Sequence, residues 1–234
     1  MQEIPSKSTL QKIWIVVPAF NESTTISGVL NNLLQEFKNI VVVDDGSTDD
    51  TGPEALRSGA YLIRHPLNLG QGAALQTGIN FALQNNADAI VTFDADGQHC
   101  VDDVISLLDA LIAGKFDIVI GSRFLSKRPT GLPLSRLAVL KLATIFTRLT
   151  TGLKITDTHN GLRAMSSNAA SLISIKQNRM SHASEILTQI RTNKFLYNEI
   201  PVKVIYTDYS LSKGQKISST LDILKDLLIN RLKK

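Results

Sequence analysis

The stretch Ile13–Glu22 (IWIVVPAFNE) decides the fold, because a continuous apolar run changes abruptly into a polar turn. Short apolar runs of this kind are typical of strands that are buried on both faces of a sheet. The same change recurs in Ile40–Asp49 (IVVVDDGSTD) and in Ala89–Asp96 (AIVTFDAD). Stretches of helix length separate these runs. The sequence therefore predicts an α/β fold with a single doubly wound, Rossmann-like, mostly parallel sheet and helices on both faces.

The remaining elements follow from the same patterns. Further strands are predicted at Tyr61–Arg64, Asp117–Gly121 and Ile200–Tyr206, and a polar loop with one glycine at Asp157–Met165. Apolar residues at helical spacing predict the helices. These run from about 22 to 34, 50 to 57, 73 to 83, 101 to 113, 132 to 151 and 183 to 191. No repeat or linker interrupts the pattern, so we expect one domain.

The composition is that of a globular chain in a reducing compartment. Its 234 residues, 43% hydrophobic and 20% charged, are enough for one well-buried domain. The single cysteine, Cys100, excludes an internal disulfide. The first residues lack the apolar core of a signal peptide, and no run reaches the roughly 18 apolar residues that a membrane span needs. We therefore expect a cytoplasmic protein.

The net charge of +4 suits anionic partners such as nucleotide diphosphates, lipid phosphates or an acidic membrane surface. The basic residues are scattered and have few aromatic neighbours, so we expect no nucleic-acid partner. A mild basic excess that serves only solubility is the alternative. Residues 217–234 form a basic amphipathic tail, for which packing on the domain and contact with a membrane surface are both open.

Four carboxylates, those of Asp44, Asp45, Asp94 and Asp96, follow strands that should end at one edge of the sheet. Bringing four negative charges together costs free energy unless a cation or hydrogen-bond donors lie among them. Asp94 and Asp96 could converge on Mg²⁺ or Mn²⁺, with the Gln98 carbonyl as a further ligand and His99 as a weaker one. The alternative for this pair is a helix N-terminus whose acidic side chains suit the helix dipole.

Two other features at this edge have a functional and a structural interpretation. Asp44 and Asp45 could accept hydrogen bonds from a base or a ribose, or from the backbone of their own tight turn. Gly70-Gln-Gly72 does not directly follow the first strand, which argues against a nicotinamide fingerprint. A backbone that passes close to a nucleotide, or simply the start of a helix, would explain Gly72.

Six motifs in order carry a resemblance to a known family: VVPAFNES, VVVDDGSTDDT, HPLNLGQGAALQTGI, FDADGQH, GSRF and DTHNGLRAM. Together they resemble family-2 glycosyltransferases of the GT-A fold, over roughly residues 12 to 216. The nearest branch is similar to dolichyl-phosphate mannosyltransferases, which load sugars onto polyprenyl phosphates. The resemblance implies an inverting, metal-dependent transfer from a UDP- or GDP-linked sugar, in the synthesis of cell-envelope glycans.

The resemblance also implies donor-site residues. Asp94, Asp96 and Gln98 would hold the metal. Lys213, in the Ser212-Lys213 pair, would reach the donor diphosphate, although relatives usually carry an arginine where this chain has Thr207, so Lys216 could share that work. The residues expected to bind the nucleotide sugar are Pro18, Ala19, Asn21, Glu22, Asp45, Gly72, Asp94, Ala95, Asp96 and Lys213.

For the acceptor, the resemblance assigns Arg123 and Arg136 to a lipid phosphate, with Asp157, Gly161 and Arg163 in a motif beside them. The chain then divides into an extension (1–11), a nucleotide-sugar half (12–125), an acceptor half (126–216) and the C-terminal helix (217–234). An acceptor in a membrane would bring the protein to the cytoplasmic face of that membrane.

The acceptor decides which catalytic groups are needed. A lipid phosphate is already largely ionised near neutral pH and needs positive neighbours such as Arg123. A sugar hydroxyl of a glycan needs a general base, for which Glu185 and then Asp157 are the candidates. The remaining alternatives are a sugar nucleotidyltransferase, which normally has a basic glycine-rich first loop, and a non-catalytic nucleotide-sugar-binding partner of a membrane protein.

Overall fold

The computed structural model describes residues 12–125, 134–178 and 181–206, with the backbone alone for residues 134–136. Several predictions fall outside the described residues. They concern the 1–11 extension, the side chain of Arg136, the Thr207, Lys213 and Lys216 region, and the tail at 217–234.

The described residues form a seven-stranded sheet whose spatial order is β3-β2-β1-β4-β6-β5-β7. Its strands are β1 (Ile13–Ala19), β2 (Asn39–Asp44), β3 (Tyr61–Arg64), β4 (Ala89–Thr92), β5 (Ile118–Ser122), β6 (Arg163–Ser166) and β7 (Tyr197–Pro201). Only β6 runs antiparallel to its neighbours, β4 and β5. The other pairs are parallel, so the ends of six strands and the start of β6 meet at one edge. The predicted mostly parallel sheet is confirmed.

Seven helices are described, and they cover the sheet on both faces. They are α1 (Ile26–Leu34), α2 (Thr51–Arg57), α3 (Gln71–Gln84), α4 (Val101–Ala113), α5 (Leu134–Thr151), α6 (Ser167–Leu172) and α7 (His182–Thr192). Helices α1, α2 and α4 pack on one face, and α3, α6 and α7 pack on the other. No helix among the described residues is long and apolar enough to cross a membrane.

Strand β1 shows why the apolar runs become central strands. Every residue of β1 is buried, with Ile13, Ile15 and Val17 in one core and Trp14 and Val16 in the other. Alternate side chains of a strand point to opposite faces, so a strand covered by helices on both sides needs apolar residues at every position. Each such side chain contributes roughly 1.5–3 kcal/mol on full burial.

Two sequence predictions of secondary structure were wrong. The predicted loop at Asp157–Met165 contains the start of β6, which pairs with both β4 and β5. Its apolar positions are too few to give a strand pattern, and its place comes from the sheet around it. The strand predicted at Ile200–Tyr206 begins earlier, as β7 at Tyr197, and ends at Pro201; Val204 makes only an isolated bridge with His99.

Candidate active site

Loops that follow β1 and β2 are tied together by hydrogen bonds at the shared edge. Pro18 and Ala19 end β1 opposite Val43 and Asp44 of β2. Beyond them, the Asn21 amide donates to Ser47 Oγ at 2.9 Å, and Asn21 Oδ1 accepts from the Thr48 amide at 2.9 Å.

Asn21 has a φ of 54°, in the left-handed region that asparagine tolerates better than most residues. The neighbouring Glu22 amide donates to Thr51 Oγ1 at 2.7 Å. The polar residues of both motifs therefore first serve to fix the two loops against each other.

Asp45 holds the glycine-rich segment before α3. Its buried carboxylate accepts the amides of Leu69 at 3.0 Å and Gly70 at 2.7 Å, and lies 2.7 Å from His65 Nδ1. His65 Nε2 in turn lies 3.0 Å from Thr77 Oγ1. Asp45 thus fixes the backbone at the start of α3, and its direct contact with a base or ribose stays a prediction.

The chain satisfies Asp44 only in part, because its buried Oδ2 has no hydrogen-bond partner among the described residues. Its Oδ1 accepts the Ser47 amide at 2.8 Å, and its Oδ2 lies 3.4 Å from Arg64 Nε. A Cβ at Gly52 would lie 2.8 Å from Asp44 Oδ2, so a glycine there leaves room for the buried carboxylate. The described chain thus hydrogen-bonds both oxygens of Asp45 but only one oxygen of Asp44.

Asp94 lies between three elements of the site. Gln71 Nε2, at the start of α3, donates to Asp94 Oδ1 at 3.0 Å, and His99 Nε2 lies 3.3 Å from Asp94 Oδ2. The Asp94 side chain is 27% exposed, so it still faces open space. Burial alone would raise the pKa of Asp94, but the hydrogen bond and charge of His99, with the charges of Arg163 and His182, bring it below its usual value.

Asp96 is close enough to Asp94 for the two carboxylates to repel each other. Its Oδ1 accepts the Gln98 amide at 3.1 Å, which brings Gln98 to the same turn, while Ala95 between the two acids is buried. Burial and then the charge of Asp94 raise the pKa of Asp96 to about 6. The described residues therefore leave the negative charge of Asp96 poorly compensated, whereas His99, Arg163 and His182 offset that of Asp94.

A metal ion here would need ligands beyond the His, Cys, Asp and Glu side chains of the described residues. Within the described ranges, no three His, Cys, Asp or Glu side chains gather in an arrangement that could hold an ion. Two carboxylates with an amide oxygen can supply part of the oxygen shell that Mg²⁺ or Mn²⁺ prefers, and substrate phosphates with water commonly complete it. The acidic pair therefore fits a cation that is bound together with a phosphate ligand.

Arg163 is the most unusual charged residue of the site. Its side chain is fully buried at the start of β6, yet Nε and Nη1 have no hydrogen-bond partner in the part of the chain that the structure describes. Burial lowers the pKa of Arg163, against the charges of Asp94 and Asp157, which raise it. Leaving buried donors of a charged group unpaired costs roughly 1–3 kcal/mol or more. Such a cost is expected where a ligand supplies the missing acceptors.

Arg123 is buried like Arg163, but each of its guanidinium nitrogens donates a hydrogen bond. Its Nε donates to Asp157 Oδ2 at 2.6 Å, and its Nη2 donates to Asp157 Oδ1 at 3.3 Å and to the His159 carbonyl at 2.8 Å. Its Nη1 donates to the Tyr206 hydroxyl at 3.3 Å. Burial would lower the pKa of Arg123, but the charge and hydrogen bonds of Asp157 raise it. The predicted acceptor arginine thus has few donors left for a phosphate.

Asp157 is fully buried, and both of its oxygens bind Arg123. Because Arg123 holds both oxygens, the geometry suits a positioning role for Asp157, and its role as a base stays a prediction. Glu199 of β7 supports that arrangement, because its carboxylate accepts the amides of Thr156 at 2.7 Å and Asp157 at 3.1 Å. Burial raises the pKa of Glu199 despite these hydrogen bonds.

Gly72 and Glu185 both contact the segment before α7. The Gly72 amide donates to the Asn178 carbonyl at 2.7 Å, and a Cβ at Gly72 would lie 2.1 Å from the Gln177 carbonyl oxygen. Close approach of the chain itself therefore requires this glycine.

Glu185 Oε2 accepts the amides of Lys176 at 3.0 Å and Gln177 at 2.8 Å, beside a groove of about 740 Å³ between α5 and α7. Nucleotide binding by Gly72 and base catalysis by Glu185 stay predictions.

Three residues that position the site were not predicted from the sequence, namely His65, Gln71 and Glu199. His65 and Gln71 both belong to the HPLNLGQG motif. The motif can be recognised in the sequence, but the contacts of these two side chains with Asp45 and Asp94 cannot. Glu199 lies in an ordinary-looking strand, and no local signal in the sequence identifies it.

Comparison with known proteins places this geometry in a family. The model of glycosyl transferase family 2 matches residues 14–172, well over half of the chain. The chain belongs to that family and is a glycosyltransferase with the GT-A fold.

Individual relatives are similar over nearly the whole chain. An uncharacterized protein of Methanocaldococcus jannaschii is 40% identical over 94% of this chain and 93% of its own. The UDP-N-acetylglucosamine–dolichyl-phosphate N-acetylglucosaminyltransferase of Methanococcus voltae is 33% identical over 95% and 97%. The solved Mycobacterium tuberculosis glucosyl-3-phosphoglycerate synthase, in complex with Mn²⁺ and UDP-glucose, has a TM-score of 0.73 at 18% identity, covering 100% of this chain and 84% of its own. That structure shows the shared fold.

Proposed function

We propose that the protein transfers a sugar from a nucleotide-diphosphate sugar to a polyprenyl phosphate, with inversion at the anomeric carbon. The observation that carries the proposal is Arg163, whose buried guanidinium lies close to the acidic Asp94 and has two nitrogens, Nε and Nη1, without a hydrogen-bond partner among the described residues. Unpaired cationic donors beside carboxylates suit a phosphate that bridges an arginine and a divalent cation.

Asp94 and Asp96 would hold that cation, with Gln98 as an additional oxygen ligand. Burial and then repulsion from Asp94 raise the pKa of Asp96, and a cation would relieve both by stabilising the charged carboxylate. A bound Mg²⁺ or Mn²⁺ would supply positive charge to the diphosphate as it leaves. Gln71 and His99 keep Asp94 in place for this role.

A phosphate acceptor agrees with the state of the candidate bases. Asp157 is held by Arg123, and Glu185 accepts two backbone amides, so neither carboxylate is arranged as a free base. A phosphate monoester with a second pKa of about 6 is largely ionised at pH 7 and needs no base. Its oxygen would attack the anomeric carbon as the bond to the diphosphate oxygen breaks, and the electron pair would leave with the nucleoside diphosphate.

The M. voltae relative supports both substrates, because its name joins a UDP-linked donor to dolichyl phosphate. A donor with UDP is accordingly the first to test, and GDP-linked sugars are the second. The reaction would take place at the cytoplasmic face of a membrane, where a polyprenyl phosphate acceptor lies.

The experiment incubates the full chain and Mn²⁺ with a panel of UDP- and GDP-sugars and a short-chain polyprenyl phosphate, and identifies products by mass spectrometry. We expect one glycosyl phosphate lipid, whose anomeric configuration by NMR is opposite to that of the donor. Transfer to a soluble oligosaccharide instead would establish the sugar-hydroxyl alternative. Tight donor binding without any transfer would establish the non-catalytic alternative.

Arginine variants test the observation directly. Arg163→Gln should lower kcat/KM by about 100-fold or more, as expected when one charge-assisted contact to a phosphate is lost. Arg163→Lys, which keeps the charge, should restore part of the loss if the fold is intact by circular dichroism. Arg57→Gln, at an exposed arginine on α2, is the matched control and should leave transfer unchanged. Full activity in Arg163→Gln would exclude the proposed phosphate contact.

A further inference from the structure

In the described part of the chain, the turn from His159 to Arg163 contains most of the buried polar atoms that lack a hydrogen-bond partner. Across residues 12–125, 134–178 and 181–206, six buried side-chain atoms have no partner among the described residues, and four of them lie in this turn. They are His159 Nδ1, Asn160 Nδ2, and Nε and Nη1 of Arg163. Because folded proteins leave few buried polar atoms unpaired, such a cluster indicates that oxygen atoms of a ligand complete the site.

The turn lies directly against the proposed cation site. A Cβ at Gly161 would lie 2.1 Å from Asp94 Oδ2, so the backbone here touches that carboxylate. Arg163, at the end of the turn, is close enough to Asp94 for the two charges to interact. A phosphate that bridges Arg163 and the cation would therefore lie beside the turn. This step rests on the proposed function.

The backbone of His159 is fixed by the ion pair of Arg123 and Asp157. The His159 carbonyl accepts a hydrogen bond from Arg123 Nη2 at 2.8 Å, and the His159 amide donates to Asp157 Oδ1 at 3.3 Å. The imidazole therefore projects from a fixed point beside the arginine that the sequence assigns to the acceptor phosphate. Since the guanidinium nitrogens of Arg123 already donate to the chain, that phosphate needs a donor from another residue.

The imidazole of His159 has one buried and one accessible nitrogen. Nδ1 is buried without a partner, whereas Nε2 has no partner among the described residues and is not buried, in keeping with a side chain that is half-buried as a whole. Burial lowers the pKa of His159 to about 4; the charge of Asp157 opposes the shift, and those of Arg123 and Arg163 add to it. The imidazole is therefore neutral at pH 7, with one N–H group and one lone pair.

We propose that His159 contacts the acceptor phosphate and donates a hydrogen bond from Nε2 to one of its oxygens. The tautomer with the proton on Nε2 leaves a lone pair on the buried Nδ1. The proton stays on His159 during transfer, because an ionised phosphate oxygen attacks the anomeric carbon without losing a proton. A neutral donor also orients the phosphate without adding a positive charge that would weaken it as a nucleophile. His159 thus selects and orients the acceptor, and it does not act as a base.

Steady-state kinetics of three variants test this contact, with Mn²⁺, the donor identified by mass spectrometry and a short-chain polyprenyl phosphate. His159→Phe removes both ring nitrogens and should raise KM for the acceptor by about 10-fold to 100-fold, as expected when a hydrogen bond to a charged group is lost. His159→Gln can bring an amide nitrogen near the position of Nε2 and should recover part of the loss. His159→Asn can reach only the position of Nδ1 and should resemble His159→Phe.

Donor-side measurements separate this contact from damage to the fold. In all three variants, the affinity for Mn²⁺ in the presence of UDP and the hydrolysis of the donor by water should equal those of the natural chain. An unchanged acceptor KM in His159→Phe would overturn the inference, as would equal recovery by His159→Gln and His159→Asn, or a loss of Mn²⁺ affinity that parallels the rise in KM. Transfer by the natural chain to an oligosaccharide alone would overturn both this inference and the proposed function. Equal use of polyprenyl phosphate by all variants would overturn only the inference.

Nuclear magnetic resonance of the natural chain tests the same contact without a substitution. The chain has only four histidines, so the imidazole signals can be resolved one by one. In the presence of Mg²⁺ and UDP, geranyl phosphate should move the Nε2 signal of a single imidazole, and that signal should be absent from His159→Gln. A spectrum in which saturating geranyl phosphate moves only the signals of His65, His99 or His182, or none, would overturn the inference.

Discussion

Replacement of Gly161 by alanine tests how tightly the site is built around Asp94. A Cβ at Gly161 would lie 2.1 Å from Asp94 Oδ2 and 2.6 Å from both Cγ and Oδ1. Ordinary van der Waals contact begins near 3.4 Å, so Oδ2 would have to move by about 1.3 Å. The backbone at Gly161 cannot easily retreat, because its carbonyl accepts a hydrogen bond of 2.6 Å from Thr92 Oγ1 on β4.

The displacement should affect catalysis more than stability. A shift of about 1 Å in a positioning group typically costs 100-fold in rate, whereas forcing one methyl group into a packed site costs about 1–3 kcal/mol. We therefore expect Gly161→Ala to fold, with a lowered melting temperature. Its kcat should fall by about 100-fold. The rate is measured with Mn²⁺ and with the donor and acceptor that the mass-spectrometry experiment identifies.

Gly28→Ala is the matched control for this prediction, since a Cβ at Gly28 of α1 would meet nothing within 4 Å. That variant should be fully active and more stable by about 1 kcal/mol, as expected for glycine to alanine within a helix. If Gly161→Ala transfers sugar at the natural rate, the position of Asp94 is unimportant and the reasoning fails.

Two further predictions concern the loops around the site. Gly72→Ala should lower the free energy of unfolding by about 1–3 kcal/mol in urea, because its Cβ would collide with the Gln177 carbonyl; an unchanged midpoint would contradict the packing. Burial would raise the pKa of Asp49, but hydrogen bonds from Thr51 and Ser23 lower it to about 2. The ionised Asp49 carboxylate therefore stabilises the folded protein above pH 4, and this contribution is lost as the pH falls toward 2. Asp49→Asn should therefore cost about 1–2 kcal/mol at pH 7, discounted for its partial exposure, and nothing at pH 2; a constant difference between pH 7 and pH 2 would refute it.

The sheet could be predicted from the sequence because its central strands carry their own signal. The runs at β1, β2 and β4 are apolar at every position, which only a strand buried on both faces requires. Strand β6 carries no such signal, because Arg163 occupies its first position, where burial disfavours its charge and the charges of Asp94 and Asp157 favour it. The pairing partners that order β6 lie far away in the chain.

The residue types of the candidate site could be predicted from the sequence, but the hydrogen-bond and charge partners of each residue could not. Four aspartates at strand ends were correctly expected at one edge, yet the sequence does not say which of them the chain satisfies. Asp45 contacts His65 and accepts two backbone amides, whereas burial and then the charge of Asp94 raise the pKa of Asp96. Which aspartates the chain satisfies depends on contacts between residues that lie 20 or more positions apart. The spacing of residues within one motif carries no information about those contacts.

The central claim is that Asp94 and Asp96 bind a divalent cation together with the nucleotide diphosphate. Titration of Mn²⁺ in the presence of UDP, followed by the electron paramagnetic resonance signal of free Mn²⁺, measures this directly. We predict one bound Mn²⁺ per chain, with affinity lowered about tenfold or more in Asp96→Asn, which preserves the shape of the side chain. Equal Mn²⁺ affinity in the natural chain and in the Asp94→Asn, Asp96→Asn double variant would contradict the claim.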